Sequence, residues 1–222
     1  MVILSTSRPQ RSLAIIGLGM SNRDYLLDAA DWRTGRKFDA VWTLNRGGTI
    51  FRADCVFRMD DYHLMEAKGE GEQYINKELV DLASGGTKVF TSAVYPECST
   101  WDYFPLSEFL TRFKTVDHSY VNSSVPYMIG HAIICGYTEL HVYGMDYNYA
   151  PIDLAGKGVA PTFAEDGRAC TEYWLGVAES SGVKVLLPRT STLMGACRPE
   201  HMYGYKDGAV DELAIWREAN AD

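Results

Sequence analysis

Two kinds of side chain suited to handling an activated phosphate stand close together in the middle of the chain. Ser123 and Ser124 precede an apolar segment, residues 125–135, that is typical of a helix, and serine is a favoured N-cap residue. Asp146 follows a buried strand predicted over residues 139–143. Helix N-termini attract phosphate, and ligands of open α/β sheets bind beyond the carboxyl ends of the strands. We therefore expect a phosphate near the serines and a carboxylate, Asp146, at the same rim.

Further candidates follow the first two predicted strands. Gly17, Gly19 and Ser21 form a sharp strand-to-helix turn, and glycines in such a turn let backbone amides approach a phosphate closely. The turn lacks the third glycine of the dinucleotide fingerprint, so phosphate contact and a merely tight turn are both open. Asn45 lies at the carboxyl end of the second strand, a position from which a side-chain amide can bind a base or ribose.

The remaining ionisable candidates are less specific. Asp60 and Asp61 follow the third predicted strand, where adjacent acids serve as metal ligands or a base but more often cap the next helix. His131 lies inside the central helix on its apolar side, so we expect it in the core. Arg46 is expected on the surface.

Overall composition limits the choice of partners. The net charge of −8 disfavours a broad electrostatic grip on nucleic acid, although a local basic channel is compatible with it. The five cysteines are odd in number and include no CxxC pair, so they indicate neither a disulfide framework nor a zinc site. No apolar run approaches the roughly 18 residues that span a bilayer, and the N-terminus lacks a signal-peptide pattern. We expect a cytoplasmic protein without a membrane span.

The elements that must position these residues alternate between short buried strands and helices. Strands are predicted over residues 12–18, 39–44, 53–57, 88–92, 139–143 and 183–187, and helices over residues 23–30, 66–86, 106–113, 125–135, 167–180 and 208–219. Residues 93–104 are expected to form an aromatic loop, and residues 148–165 a mobile one. The alternation predicts one α/β domain over residues 1–222, Rossmann-like, with a mainly parallel sheet and helices on both faces.

Four motifs in this order resemble the bacterial sialyltransferases that use CMP-activated sugar. They are the turn IIGLGMSN, the strand FDAVWTLN, the block NSSVPYMIGHAIICGYTELHVYGMDY and the ending VKVLLPRTS. The same architecture is similar to that of a group containing archaeal-type 6-hydroxymethylpterin pyrophosphokinases and motility-accessory glycosyltransferases. The resemblance spans roughly residues 12–195, and its most specific part is residues 123–146.

The resemblance implies a role for each matching residue. In the sialyltransferases the first turn holds the nucleotide phosphate, which matches Gly17, Gly19 and Ser21, and the asparagine after strand two binds the nucleotide, which matches Asn45. The small polar residues at the family's helix start contact the nucleotide and match three residues here, namely Asn122, Ser123 and Ser124. Tyrosines after the family's "G.D" motif support the leaving phosphate, and Tyr147 and Tyr149 stand nearby.

Two departures from the family pattern concern catalysis. Leu18 replaces the asparagine of the family's first turn, and residues 148–168 contain no counterpart of the family's general-base histidine. If a base acts from the same loop, the candidates are Glu165 and Asp166, with Asp146 as the alternative. Each of the three is equally suited to capping a helix.

Three functional hypotheses follow. The first is a metal-independent glycosyltransferase that moves sugar from a nucleotide-activated donor to a hydroxyl of a glycan, a metabolite or a hydroxylated nucleobase in DNA, with no cofactor besides that donor. The second is an Mg²⁺- and ATP-dependent pyrophosphokinase of the 6-hydroxymethylpterin type, in which Asp60, Asp61 and Asp146 would become metal ligands. The third is a nucleotide-binding protein without catalysis. Homo-oligomerisation is compatible with each of them.

Overall fold

A single parallel sheet runs through the part of the chain that the computed structural model describes, residues 9–29, 37–113, 120–148 and 161–194. Its strand order is β5-β4-β3-β2-β1-β6-β7, and every pairing between neighbours is parallel. The strands are β1 (Ser12–Ile16), β2 (Ala40–Leu44), β3 (Cys55–Arg58), β4 (Lys88–Thr91), β5 (Asp102–Tyr103), β6 (Glu139–Tyr143) and β7 (Lys184–Leu186).

Helices connect successive strands, as parallel pairing requires. The α-helices in the described residues are α1 (Asn22–Ala29), α2 (Tyr62–Glu66), α3 (Glu70–Ser84), α4 (Leu106–Phe113), α5 (Ser124–Ile134) and α6 (Pro161–Ser180). Short 3-10 turns cover Asn45–Thr49 and Pro96–Cys98. None of these helices combines the length and apolarity that crossing a bilayer requires.

The two faces of the sheet carry different helices because side chains alternate along each strand. Leu13 and Ile15 of β1 belong to the large apolar cluster that includes residues of α4, α5 and α6. Ala14 and Ile16 point the other way, into a cluster against which Tyr25 of α1 packs. On that second face, residues of β3 and β4 pack against α3. The prediction of a mainly parallel α/β sheet with helices on both faces is confirmed.

The chain reverses its direction of travel across the sheet beside β1. From β1 it moves outward through β2, β3, β4 and β5, then returns to place β6 on the other side of β1. The connections after β1 and β6 therefore diverge at their carboxyl ends and leave a crevice, which is where open α/β sheets bind ligands. The predicted site residues cluster around this crevice.

Gly130 allows the central helix α5 to pack closely against α4 and α6. A Cβ at this position would overlap the Phe109 ring of α4 and come 3.0 Å from the Trp174 ring of α6. The two rings pack on each other at a centroid distance of 5.0 Å. This packing anchors α5, so the start of the helix is held in place above the crevice.

Several predicted boundaries differ from the structure. The single helix expected over residues 66–86 is divided, because Gly69 adopts φ +114° and separates α2 from α3. The expected loop 93–104 contains a 3-10 turn and β5, and Trp101 is buried in the core. Helix α6 begins at Pro161, so residues 161–165 are helical rather than part of a loop. Residues 149–160 and the predicted helix 208–219 lie outside the described residues.

Candidate functional site

A cavity of about 420 Å³ opens at the carboxyl ends of β6, β1, β2 and β3. Of the residues predicted for a glycosyltransferase, eight line it, whereas Ser21, Glu165 and Asp166 do not. The lining residues are Gly17, Leu18, Gly19, Leu44, Asn45, Asp60, Asn122, Ser123, Ser124, Val125, Gly144, Met145, Asp146, Tyr147, Asn148, Phe163 and Gly167. No lysine or arginine is among these described residues, so within them backbone amides and side-chain hydroxyls are the groups that can stabilise an anion.

The glycine turn that follows β1 is hydrogen-bonded to the turn that follows β6. The Gly17 amide donates to the Tyr143 carbonyl at 2.7 Å, and the Gly19 amide donates to the Gly144 carbonyl at 2.8 Å. A Cβ on Gly17 would overlap the Gly144 carbonyl, and one on Gly19 would lie 2.5 Å from Oδ2 of Asp146. The two glycines are thus needed for the close approach of two backbone turns, and their amides are already used within the protein.

Buried hydrogen bonds between Ser21 and Asp146 also connect these two turns. Both are buried, and Asp146 accepts hydrogen bonds from the Ser21 amide at Oδ2 and from the Ser21 hydroxyl at Oδ1, each 2.7 Å long. The Ser21 hydroxyl oxygen in turn accepts from the Gly144 amide at 2.8 Å. Both carboxylate oxygens of Asp146 therefore have donors before any ligand arrives.

Asn45 is the most unusual residue of the cavity. Its backbone has φ +48°, a left-handed conformation that few non-glycine residues adopt. Its side-chain Oδ1 is buried and has no hydrogen-bond partner among the residues that the structure describes. A buried acceptor without a donor costs about 1–3 kcal/mol, and strained backbone tends to occur at functional sites. An acceptor held at such a cost in a cavity wall points to a ligand that supplies the missing N–H or O–H.

The start of α5 forms another wall of the cavity. Ser123 occupies the N-cap position with extended backbone, but its side chain makes no capping hydrogen bond. The preceding segment is held from behind, because the Asn122 amide donates to Cys170 Sγ at 3.3 Å and Trp174 Nε1 donates to the Tyr120 carbonyl at 3.0 Å. The helix start is thus fixed in position while the Ser123 hydroxyl is not used as a cap.

Tyr147 closes the cavity beside that helix start. Its backbone is also left-handed, with φ +52°. The hydroxyl lies 2.6 Å from Oγ1 of Thr171 and 3.4 Å from Oγ of Ser123, and either oxygen can be the donor in each contact. A Cβ on Gly167 would lie 2.5 Å from the Tyr147 ring, so the glycine makes room for it. Tyr149, its predicted companion, lies outside the described residues.

The candidate acids differ in their surroundings. Glu165 and Asp166 are exposed on α6 and line no part of the cavity, whereas Asp60 lies in its wall. Asp61 is the N-cap of α2, where it accepts from the Leu64 amide at 2.8 Å, and its other oxygen accepts from the Tyr95 hydroxyl at 3.1 Å. Within the described residues, no three His, Cys, Asp or Glu side chains are grouped so as to hold a metal ion.

His131 lies in the core, as its position on α5 predicts. Its ring stacks on Trp42 at a centroid distance of 5.5 Å and contacts the Phe90 ring at 4.9 Å. Burial, assisted by the positive charge of Lys88, lowers the pKa of His131 to about 4. The imidazole is therefore neutral at physiological pH and has no part in the cavity.

Phe163 and Gly167 line the cavity but were not predicted from the sequence. Both lie on the first turns of α6, in or next to the segment predicted as a loop. Pro161 indicates in the sequence that α6 begins before these two residues, because proline is favoured at the first position of a helix.

Comparisons with known proteins find similarity only among solved structures. No protein-family model matches the chain, and no curated protein matches it. The sialyltransferase CstII from Campylobacter jejuni in complex with the substrate analogue CMP-3FNeuAc is 17% identical, with a TM-score of 0.45, over 80% of this chain and 81% of that one. The sialyltransferase CST-II with trisaccharide acceptor and CMP is 19% identical, with a TM-score of 0.45, over 80% of each chain. CstII in complex with cytidine-5'-monophosphate is 15% identical, with a TM-score of 0.45, over 92% of this chain and 99% of that one.

Proposed function

We propose that the chain is a glycosyltransferase that binds a nucleotide-activated sugar in the cavity and passes the sugar to a hydroxyl acceptor. The observation that carries this proposal is the buried, unpartnered Oδ1 of Asn45 in a strained backbone. A ribose hydroxyl or a base amino group supplies the donor that this oxygen lacks. A volume of about 420 Å³ is within the range of small-molecule sites.

The donor phosphate belongs at the start of α5. The first-turn amides of a helix have no partner within the helix, and the helix dipole favours negative charge there. Ser123 leaves these amides uncapped, and Ser124 and Val125 of the first turn line the cavity. Because the Gly17 and Gly19 amides are engaged elsewhere, we assign the two glycines the role of shaping the cavity rather than that of binding phosphate.

The leaving phosphate is stabilised by hydroxyl groups next to the same helix start. Bond cleavage between the sugar and the phosphate places additional negative charge on the phosphate oxygen. Tyr147, Ser123 and Thr171 form a connected set of hydroxyls that can turn a donor toward this charge. Asp146 is assigned a structural role, since Ser21 occupies both of its oxygens.

A thermal-shift screen across CMP, UDP, GDP and ADP sugars tests donor binding. A ligand at 100 times its dissociation constant stabilises the folded state by about 2.7 kcal/mol, which raises the melting temperature by roughly 5–11 °C for a chain of this size. Chromatography of the released nucleotide then separates catalysis from simple binding. Stabilisation without any sugar release would favour a non-catalytic nucleotide-binding protein. No stabilisation by any sugar nucleotide would refute the proposal.

A further inference from the structure

We infer that Asp60 is the general base of the proposed reaction and takes the proton of the acceptor hydroxyl. The inference rests on the proposed function, since it assigns a catalytic role to a residue of the same cavity. Neither Asp146 nor Glu165, the acids that the sequence favours for this role, has surroundings that suit it.

Asp60 lies in the wall of the same cavity as Asn45 and the start of α5. It follows β3 and Asn45 follows the neighbouring strand β2, and α5 contacts both of these strands. Neighbouring strands lie about 4.8 Å apart, so the ends of β2 and β3 are close together. With the nucleotide on Asn45 and the phosphate at the start of α5, the sugar and the acceptor share the rest of the cavity with the Asp60 carboxylate.

The Asp60 carboxylate lines the cavity, and within the described residues its oxygens are free of hydrogen bonds. Its side chain is 42% exposed, and its ion pair with Arg58 Nη1 is 3.8 Å long. Arg58 itself is buried and is held by Glu72 at 2.6 Å and by Asn76 at 3.1 Å. The guanidinium therefore supplies a fixed positive neighbour without covering the carboxylate oxygens.

The other acids near the cavity either have both carboxylate oxygens hydrogen-bonded or lie outside the cavity wall. Both oxygens of Asp146 accept from Ser21, and both oxygens of Asp61 are taken by the α2 cap and by Tyr95. Glu165 is exposed on α6 and lies outside the cavity wall. Asp60 is thus the acid, among the described residues of the wall, whose oxygens can receive a proton from a ligand.

The proposed step balances without a further reactant. The acceptor oxygen forms a bond to the anomeric carbon while its proton passes to the Asp60 carboxylate. The bond between the anomeric carbon and the donor phosphate breaks, and its electron pair leaves with the nucleotide. General-base assistance of this kind contributes about 10²- to 10⁴-fold to the rate.

The test compares Asp60→Asn with a matched control, Asp81→Asn, which changes an exposed acid on α3 outside the cavity wall. Both are incubated with whichever CMP, UDP, GDP or ADP sugar stabilises the parent, and release of nucleotide is followed with water or an added alcohol as acceptor. We expect Asp60→Asn to keep the ligand-induced thermal shift while its rate falls by about 10²- to 10⁴-fold. Asp81→Asn should match the parent.

A second variant distinguishes a base from a structural group. Removal of the carboxylate in Asp60→Ala leaves space that a small carboxylate can occupy, so added sodium formate should restore part of the rate. A rate within about threefold of the parent for Asp60→Asn, or no rescue by formate, would overturn the assignment of Asp60 and leave donor binding intact. Failure of every sugar nucleotide to stabilise the parent would overturn the proposed function and this inference together.

Discussion

Asn45 offers a prediction in which stability and binding change in opposite directions. Replacing Asn45 by glycine removes the buried, unpartnered Oδ1 and relieves the left-handed backbone, since glycine adopts positive φ without penalty. Removing an unsatisfied buried acceptor gains about 1–3 kcal/mol, and the entropy of glycine in the unfolded chain costs about 0.5–1 kcal/mol. The central values leave a net stabilisation of about 1 kcal/mol, which raises the melting temperature by roughly 2–4 °C.

The same variant should bind the donor more weakly. Loss of one hydrogen bond to a ligand costs about 1.4 kcal/mol, or tenfold in the dissociation constant. At a ligand concentration that is 100 times the parent's dissociation constant, the stabilisation then falls from about 2.7 to about 1.4 kcal/mol. Asn45→Ala serves as the control, because it loses the same acceptor but keeps a Cβ in the left-handed conformation. It should show the same weakened response to ligand with a smaller gain in stability, since it keeps the left-handed strain that glycine relieves.

Differential scanning fluorimetry of the three proteins, with and without the stabilising sugar nucleotide, measures both effects. The contrary result is that Asn45→Gly melts below the parent in the absence of ligand and shifts as far as the parent in its presence. That result would mean that the Asn45 side chain stabilises the fold rather than the complex.

The remaining predictions concern the residues that support the cavity. Gly130→Ala should lower the melting temperature, because a Cβ at this position overlaps the neighbouring rings. Gly176 lies on the exposed side of α6 with open space around it, so Gly176→Ala should raise the free energy of unfolding, measured in urea, by about 0.5–1 kcal/mol. Ser21→Ala should destabilise by about 2 kcal/mol in the same assay, since it removes a hydrogen bond to the buried Asp146; an unchanged midpoint would contradict the proposed link between the two turns. His131 should make stability depend on pH: its pKa is lowered from 6.5 to about 4 on folding, so the unfolded state binds more protons and stability should fall as the pH drops from 6.5 to 4. His131→Leu should flatten that dependence, and equal slopes for the two proteins would exclude the histidine as its source.

Strand positions were predictable because their signals are local. A continuous apolar run such as residues 12–16 is buried on both faces of a parallel sheet, and the alternation of strands with helices fixes the fold class. Gly136 was identifiable as the end of α5 and adopts φ +76°. The division at Gly69 was missed because the apolar periodicity continues past a glycine whose backbone conformation the sequence does not reveal.

The roles of residues within the cavity depend on contacts between distant parts of the chain. The sequence places Gly17 in a turn, but the use of its amide by Tyr143 follows from the pairing of β1 with β6. The neutral state of His131 likewise depends on rings from β2 and β4. The sequence indicates Asn45 as a site residue only because it lies at the end of a strand. Its left-handed backbone and the unpartnered Oδ1, which point to a ligand, are visible only in the structure.

The proposed donor site can be observed in a crystal structure of the protein with the sugar nucleotide that most raises its melting temperature. We expect the phosphate within hydrogen-bond distance of the Ser124 and Val125 amides and a ligand N–H or O–H on Oδ1 of Asn45. A ligand bound at another part of the surface, with the cavity at the carboxyl ends of β1 and β6 left unfilled, would contradict it.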